Sequence, residues 1–194
     1  NAIADIISGD ANPSGKLPFS FPVKLIDNSA HFFGEISYPG DGETQYYKDG
    51  VLVGYRWHDT KNIKPLFSFG HGLSYSSFKI TDIKSDKKIY TGNDSINITY
   101  KLKNTGSKDG AEVVQVYVGI SKSKVLRALK ELKGFKKTFL RAGNQTSEII
   151  TINVSDLSFY DESISNWNIE KGNYTIYVGN ASDGISDQIN INVK

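Results

Sequence analysis

Tyr55, Arg56, Trp57, His58 and Asp59 stand consecutively and form the densest run of chemically capable side chains in the 194 residues. An arginine beside an aspartate can grip a sugar hydroxyl or form a bidentate pair in a cleft. The same residues also suit an interdomain anchor, because a buried arginine requires a carboxylate partner. Tyr46, Tyr47, Trp57 and Trp167 carry aromatic faces that can stack on the apolar C–H face of a pyranose, although aromatic residues in a β-rich chain more often fill a core. Trp167 is accordingly expected in the interior, with Tyr46 or Tyr47 left to reach the rim of a substrate site.

Hydrolysis by paired carboxylates needs two carboxyl groups held together, one of them shielded so that its pKa rises. No such pair is visible, and no catalytic residue is assigned. Asp41, Glu43 and Asp49 lie in a polar, glycine-rich stretch and read as solvated loop charges, while Asp161 or Glu162 is placed to cap a turn after Phe159 and Tyr160. His71 sits between Gly70 and Gly72 with no second ligand at metal spacing, which favours a tight turn. No metal and no cofactor is expected. Lys130, Lys133, Lys136 and Lys137 form a stripe broken by Glu131 and read as a solvated edge. A net charge of +2 from interspersed residues argues against nucleic acid or anionic membrane as partners.

The elements that must hold these residues follow from periodicity. Ala2 to Ile7 form an apolar cluster closed by Gly9, as at the end of a buried helix with glycine just past it. Asn12 to Gly15 supply a turn, and Leu17, Phe19 and Phe21 then alternate with polar or proline positions in a short edge strand. From residue 22 to about 50 periodicity gives way to Gly, Pro, Asp and Asn, the composition of a long connection. Seven strand signals follow, at 78–83, 96–102, 113–118, 132–140, 149–154, 174–178 and 189–193, separated by turn residues. An immunoglobulin-type or fibronectin-type sandwich accounts for them better than a barrel. Its core is expected to draw on Val114, Val116, Phe135, Phe139, Ile150, Ile152, Tyr174, Ile176 and Val178.

No stretch approaches the roughly 20 apolar residues needed to span a bilayer. The absence of cysteine excludes disulfides and thiolate metal sites without fixing the compartment. Asn-x-Ser/Thr triplets at Asn93, Asn97, Asn144, Asn153, Asn173 and Asn180 mark glycosylation acceptors or merely polar strand faces. The opening residues lack a charged n-region and an apolar h-region, which predicts a fragment or a processed chain.

Five ordered blocks carry a resemblance: NPSGKLPFSFP at 12–22, VGYRWHD at 53–59, PLFSFGHGLSYSSF at 65–78, KELKGFKKTFLRAG at 130–143 and LSFYDE at 157–162. Together they resemble the C-terminal region of glycoside hydrolase family 3, of β-glucosidase or β-xylosidase type, with its fibronectin-III-like domain. Ala128 departs from the proline common at that position. The resemblance implies an all-β fold, a fibronectin-III-like sandwich at 78–194, preceded by the tail of an α/β-sandwich domain at 1–21 and a linker packed on that domain at 22–77. It implies a parent hydrolysing β-linked glucosides or xylosides, with both catalytic carboxylates upstream and this region inactive alone. Partners are then the upstream domains of the same polypeptide and, through them, a carbohydrate; location is secreted or periplasmic. It places Tyr55, Arg56, Trp57 and Asp59 at a domain junction, favouring the anchor. A free carbohydrate-binding or adhesive module is the alternative, which residues 1–21 disfavour. Deprived of a partner, those residues are expected to drive self-association.

Overall fold

The computed structural model describes residues 1–194. Its main body is a sandwich of two sheets. Strands β1 (Phe78–Ser85), β3 (Ser95–Asn104) and β6 (Gln145–Asn153) form one sheet in the order β1-β3-β6. The other has β2 (Ile89–Tyr90), β4 (Gly110–Ile120), β5 (Glu131–Leu140), β9 (Gly172–Gly179) and β10 (Ile185–Val193) in the order β2-β10-β9-β4-β5. Pairing is antiparallel except between β2 and β10. A separate ribbon pairs β7 (Phe159–Asp161) with β8 (Asn166–Asn168).

Period-two alternation decides what lies between the sheets. On β3, Ile96, Ile98, Tyr100 and Leu102 are buried, and Ile150 and Ile152 of β6 join them opposite Val114, Val116, Ile176 and Val178. Each fully buried aliphatic side chain contributes about 1.5–3 kcal/mol of transfer free energy. Tyr174 is buried too, and its hydroxyl donates to the Glu170 carbonyl at 2.7 Å, the tyrosine corner of immunoglobulin-type sandwiches.

Several expectations need correction, among them the solvated Asp49, which is buried. Phe135 and Phe139 face outward, because β5 turns Gly134, Lys136, Thr138 and Leu140 to the other side; Phe135 is 67% exposed. Gly134 leaves room there for Ile150 and Ile152, and Lys136 reaches Glu148 at 2.6 Å. Trp167 is likewise 67% exposed, because it belongs to the β7–β8 ribbon and not to either sheet. Lys130 is buried instead of solvated. Leu17 to Phe21 make no strand: Leu17 exchanges backbone hydrogen bonds with Gly70 and His71, and Phe21 forms a lone bridge with Phe67.

Before the sandwich come three short α-helices, α1 (Ala2–Ser8), α2 (Ser29–Phe32) and α3 (Tyr55–Lys61), and a 3₁₀ turn at Leu25–Asp27, in otherwise irregular chain. Gly9 closes α1 with φ 84°, a left-handed value that glycine adopts without strain. None of the residues of α1 is buried within this chain. Residues 1–77 meet the sandwich on the outer face of β4, where Gln115 and Tyr117 are as buried as the inward valines. Tyr55 packs edge-on against Tyr117, with ring centroids 5.6 Å apart.

Candidate functional site

Helix α3 is set between Gly54, at φ 58°, and Asn62 in the left-handed region, whose N–H closes onto the carbonyls of His58 and Asp59. Seven residues make two turns, too few to be stable without packing. Packing comes on two faces. Trp57 points back into the first 77 residues, where its ring meets Phe32 and Phe33 edge-on and its Nε1 donates to the Asp27 carbonyl at 3.1 Å. Ala128 packs against Trp57 and Leu52, so the position expected to carry proline supplies a small buried methyl group instead.

The opposite face pairs in order with four successive residues entering β5. Leu129 N donates to Thr60 Oγ1 at 2.9 Å, Lys130 Nζ meets Asp59 at 2.6 Å, Arg56 Nε lies 3.8 Å from Glu131, and Leu132 N donates to the Tyr55 hydroxyl at 2.8 Å. Positions 55, 56, 59 and 60 share one helix face because i and i+4 residues are neighbours on a helix. The result is a clamp of four antiparallel rungs joining segments about 70 residues apart in sequence. Burial raises the Asp59 pKa, with Lys130 opposing the shift. Burial also works to raise Glu131, but Lys133, Arg56 and Arg127 outweigh it and hold that carboxyl below its ordinary range.

A second junction lies at the far end of the same face. Asn12 donates to the Asp109 carbonyl at 2.8 Å and accepts from Tyr75 N at 2.8 Å, and Lys16 meets Glu112 at 2.7 Å. Ser182 N donates to the Phe69 carbonyl at 2.8 Å, and Ser68 donates to Asp183.

Of the residues singled out from sequence, Tyr55, Arg56 and Asp59 act together in the clamp and Trp57 anchors its rear. Tyr46 and Tyr47 are exposed on a different loop, where Lys48 lies over the Tyr46 ring. Asp41 accepts from Glu43 N and Thr44 N as a turn cap, whereas Asp49 is buried and accepts from Ser29 at 2.8 Å. Asp161 caps its turn through Ser163 N. His71 lies over Phe67, with ring centroids 5.0 Å apart. Sequence reasoning missed Thr60, Lys130, Glu131 and Arg127; the break that Glu131 makes in the lysine stripe was their only local signal.

Beside the clamp, the β7–β8 ribbon and the start of β5 enclose a cleft of about 730 Å³. Tyr160 and Trp167 form one wall as directly paired residues, and Arg127 and Glu131 stand on the other. Arg127 is fixed by the Leu157 carbonyl at 2.9 Å and by Glu131 at 3.5 Å.

Comparison with known proteins agrees with this architecture. Residues 1–75 match the glycosyl hydrolase family 3 C-terminal domain, and residues 112–182 match the fibronectin type III-like domain. The chain is 46% identical over 184 residues to the β-glucosidase BoGH3A of Bacteroides ovatus, covering 95% of this chain and 25% of that protein. It is 44% identical to thermostable β-glucosidase B of Acetivibrio thermocellus over 197 residues, all of this chain and 26% of that one. The crystal structure of DesR, a β-glucosidase from Streptomyces venezuelae in complex with D-glucose, superposes with a TM-score of 0.92 at 36% identity, over 100% of this chain and 24% of DesR. The chain therefore spans about a quarter of the length of these relatives. Family match, identity along the whole chain and sandwich topology coincide: the chain belongs to the C-terminal region of glycoside hydrolase family 3 and carries a fibronectin type III-like domain.

Proposed function

We propose that this chain is the accessory, bracing region of a β-glycosidase acting on β-linked glucosides or xylosides, with the catalytic carboxylates upstream in the same polypeptide. The observation that carries this is the four-rung clamp, which fixes residues 1–77 to the β-sandwich through charged and backbone groups. Such a joint transmits rigidity. Residues 1–77 in turn present Ile3, Ile7, Leu25, Leu66 and Leu73 to solvent, each at least 60% exposed. Apolar surface of that extent is what a docking partner would cover, and the upstream part of the same polypeptide is the partner proposed. The relatives bearing the name β-glucosidase supply the reaction class.

The test is direct. Purified alone, the 194-residue chain should release no nitrophenol from p-nitrophenyl β-glucoside or β-xyloside. Turnover above a heat-inactivated control, abolished by replacing a carboxylate of this chain, would place the chemistry here and overturn the proposal.

A further inference from the structure

Tryptophan on the surface of a short ribbon invites the question of what it is for. Trp167 is 67% and Tyr160 53% exposed, and their rings meet edge to face at 5.8 Å and 81°. The indole is braced by its neighbour yet stays mostly open to solvent, and the ribbon that carries them is paired with neither sheet of the sandwich. The cleft they border, at about 730 Å³, is of the size that small-molecule sites occupy, ~300–1,000 Å³.

Around the aromatic pair the lining sets apolar side chains, Val51, Val125 and Leu126, beside an electrically balanced set of charges shared between the ribbon and the start of β5. Arg56, Arg127 and Lys133 bring three positive charges, and Glu131, Asp161 and Glu162 three negative ones. Glu131 sits among all three cations, 2.9 Å from Lys133, 3.5 Å from Arg127 and 3.8 Å from Arg56. Arg127, Glu131 and Lys133 are already tied in place, so a ligand meeting them orders little that is free. Fixed donors and acceptors of both signs beside an open aromatic face suit a molecule that is uncharged, rich in hydroxyls and flat on one apolar side. An anion would meet three carboxylates, and a cation three positive groups.

We propose that this cleft is a sugar-binding subsite, which takes a neutral pyranose unit of an oligosaccharide, stacks it on Trp167 and hydrogen-bonds its hydroxyls to the Arg127–Glu131 wall. The subsite is a separate assignment from the bracing function, which its failure would leave untouched.

The chain contains two tryptophans, and Trp57 is 1% exposed, so a ligand-induced change in tryptophan fluorescence reports Trp167. The intact 194-residue chain is titrated with cellotetraose, xylotetraose and, as an anionic probe, trigalacturonate, by fluorescence and by calorimetry. Saturable binding of at least one neutral probe, with weaker or no binding of the anionic one, is expected. Trp167→Ala should lower the calorimetric affinity about tenfold, Trp167→Phe should retain part of it, and Trp57→Phe should leave the fluorescence response in place. Circular dichroism of Trp167→Ala should match the parent, since the side chain touches no sheet core. No saturable binding of either neutral probe, equal binding of the anionic probe, or unchanged affinity in Trp167→Ala would each overturn the assignment.

Discussion

Lys130 and Asp59 meet at 2.6 Å across 71 residues of sequence, with side chains only 8% and 16% exposed. Neither charge has comparable access to water, so each depends on the other. Removing one partner of a buried pair leaves an uncompensated charge and costs about 3–5 kcal/mol, whereas replacing both by apolar groups of similar volume can be neutral. Lys130→Met should therefore destabilise the chain by about 3 kcal/mol, and adding Asp59→Leu should recover most of that loss. Urea denaturation of the two variants and the parent checks both expectations.

Two carboxyls of the clamp respond oppositely to acid. Glu131 has its folded pKa held below 4.5, so its contribution to stability is complete above that pH and is lost as pH falls through the folded value. Asp59 is raised above 3.8 by burial, so its folded state holds the proton more tightly and stability declines as pH rises from 3.8 through the folded value. Glu131→Gln should flatten the loss of stability below pH 4.5. Asp59→Asn should steepen the loss on acidification, because it removes the opposing contribution. Denaturation midpoints followed against pH at constant salt separate the two.

Ile152 is 2% exposed in the core, and Ile152→Ala should cost about 2–5 kcal/mol. Phe135 is the contrast. Although larger, it stands on the outer face of β5, and Phe135→Ala should change stability by no more than about 0.5 kcal/mol. Equal losses at the two positions would refute the register of β5.

The strands were legible in sequence wherever one face is apolar and the other polar. Ile96, Ile98, Tyr100 and Leu102 alternate with polar residues, and every one of them is buried. On β5 the same rule misled, because the core side carries Gly134, Lys136 and Thr138 while the phenylalanines lie outside. Gly134 there makes way for two isoleucines of β6, a cross-sheet requirement with no local trace. The clamp was half visible: Tyr55, Arg56 and Asp59 stood out as capable residues, but their partners at 129–132 are set by tertiary contact alone. Trp167 was misplaced because exposure depends on the ribbon leaving the sheets, which its own residue type does not encode.

Ile7 and Leu73 are 78% and 75% exposed in the region proposed to dock upstream. In the isolated chain that surface has no cover, and exposed apolar patches drive association. Light scattering should give a weight-average mass above 21.5 kDa that rises with concentration. Ile7→Lys with Leu73→Lys should return it to the monomer value.

The central claim is that α3 welds the first 77 residues to the sandwich, and the thermal unfolding of the Trp167→Phe variant tests it most directly. Trp57 is then the only indole, buried on the rear face of α3 against Phe32 and Phe33, so its fluorescence follows the clamp, while far-ultraviolet circular dichroism follows the strands. A brace predicts coincident transitions, as in a single cooperative unit. If the Trp57 signal is lost well below the temperature at which the strands melt, the segment comes away by itself and the bracing account is contradicted.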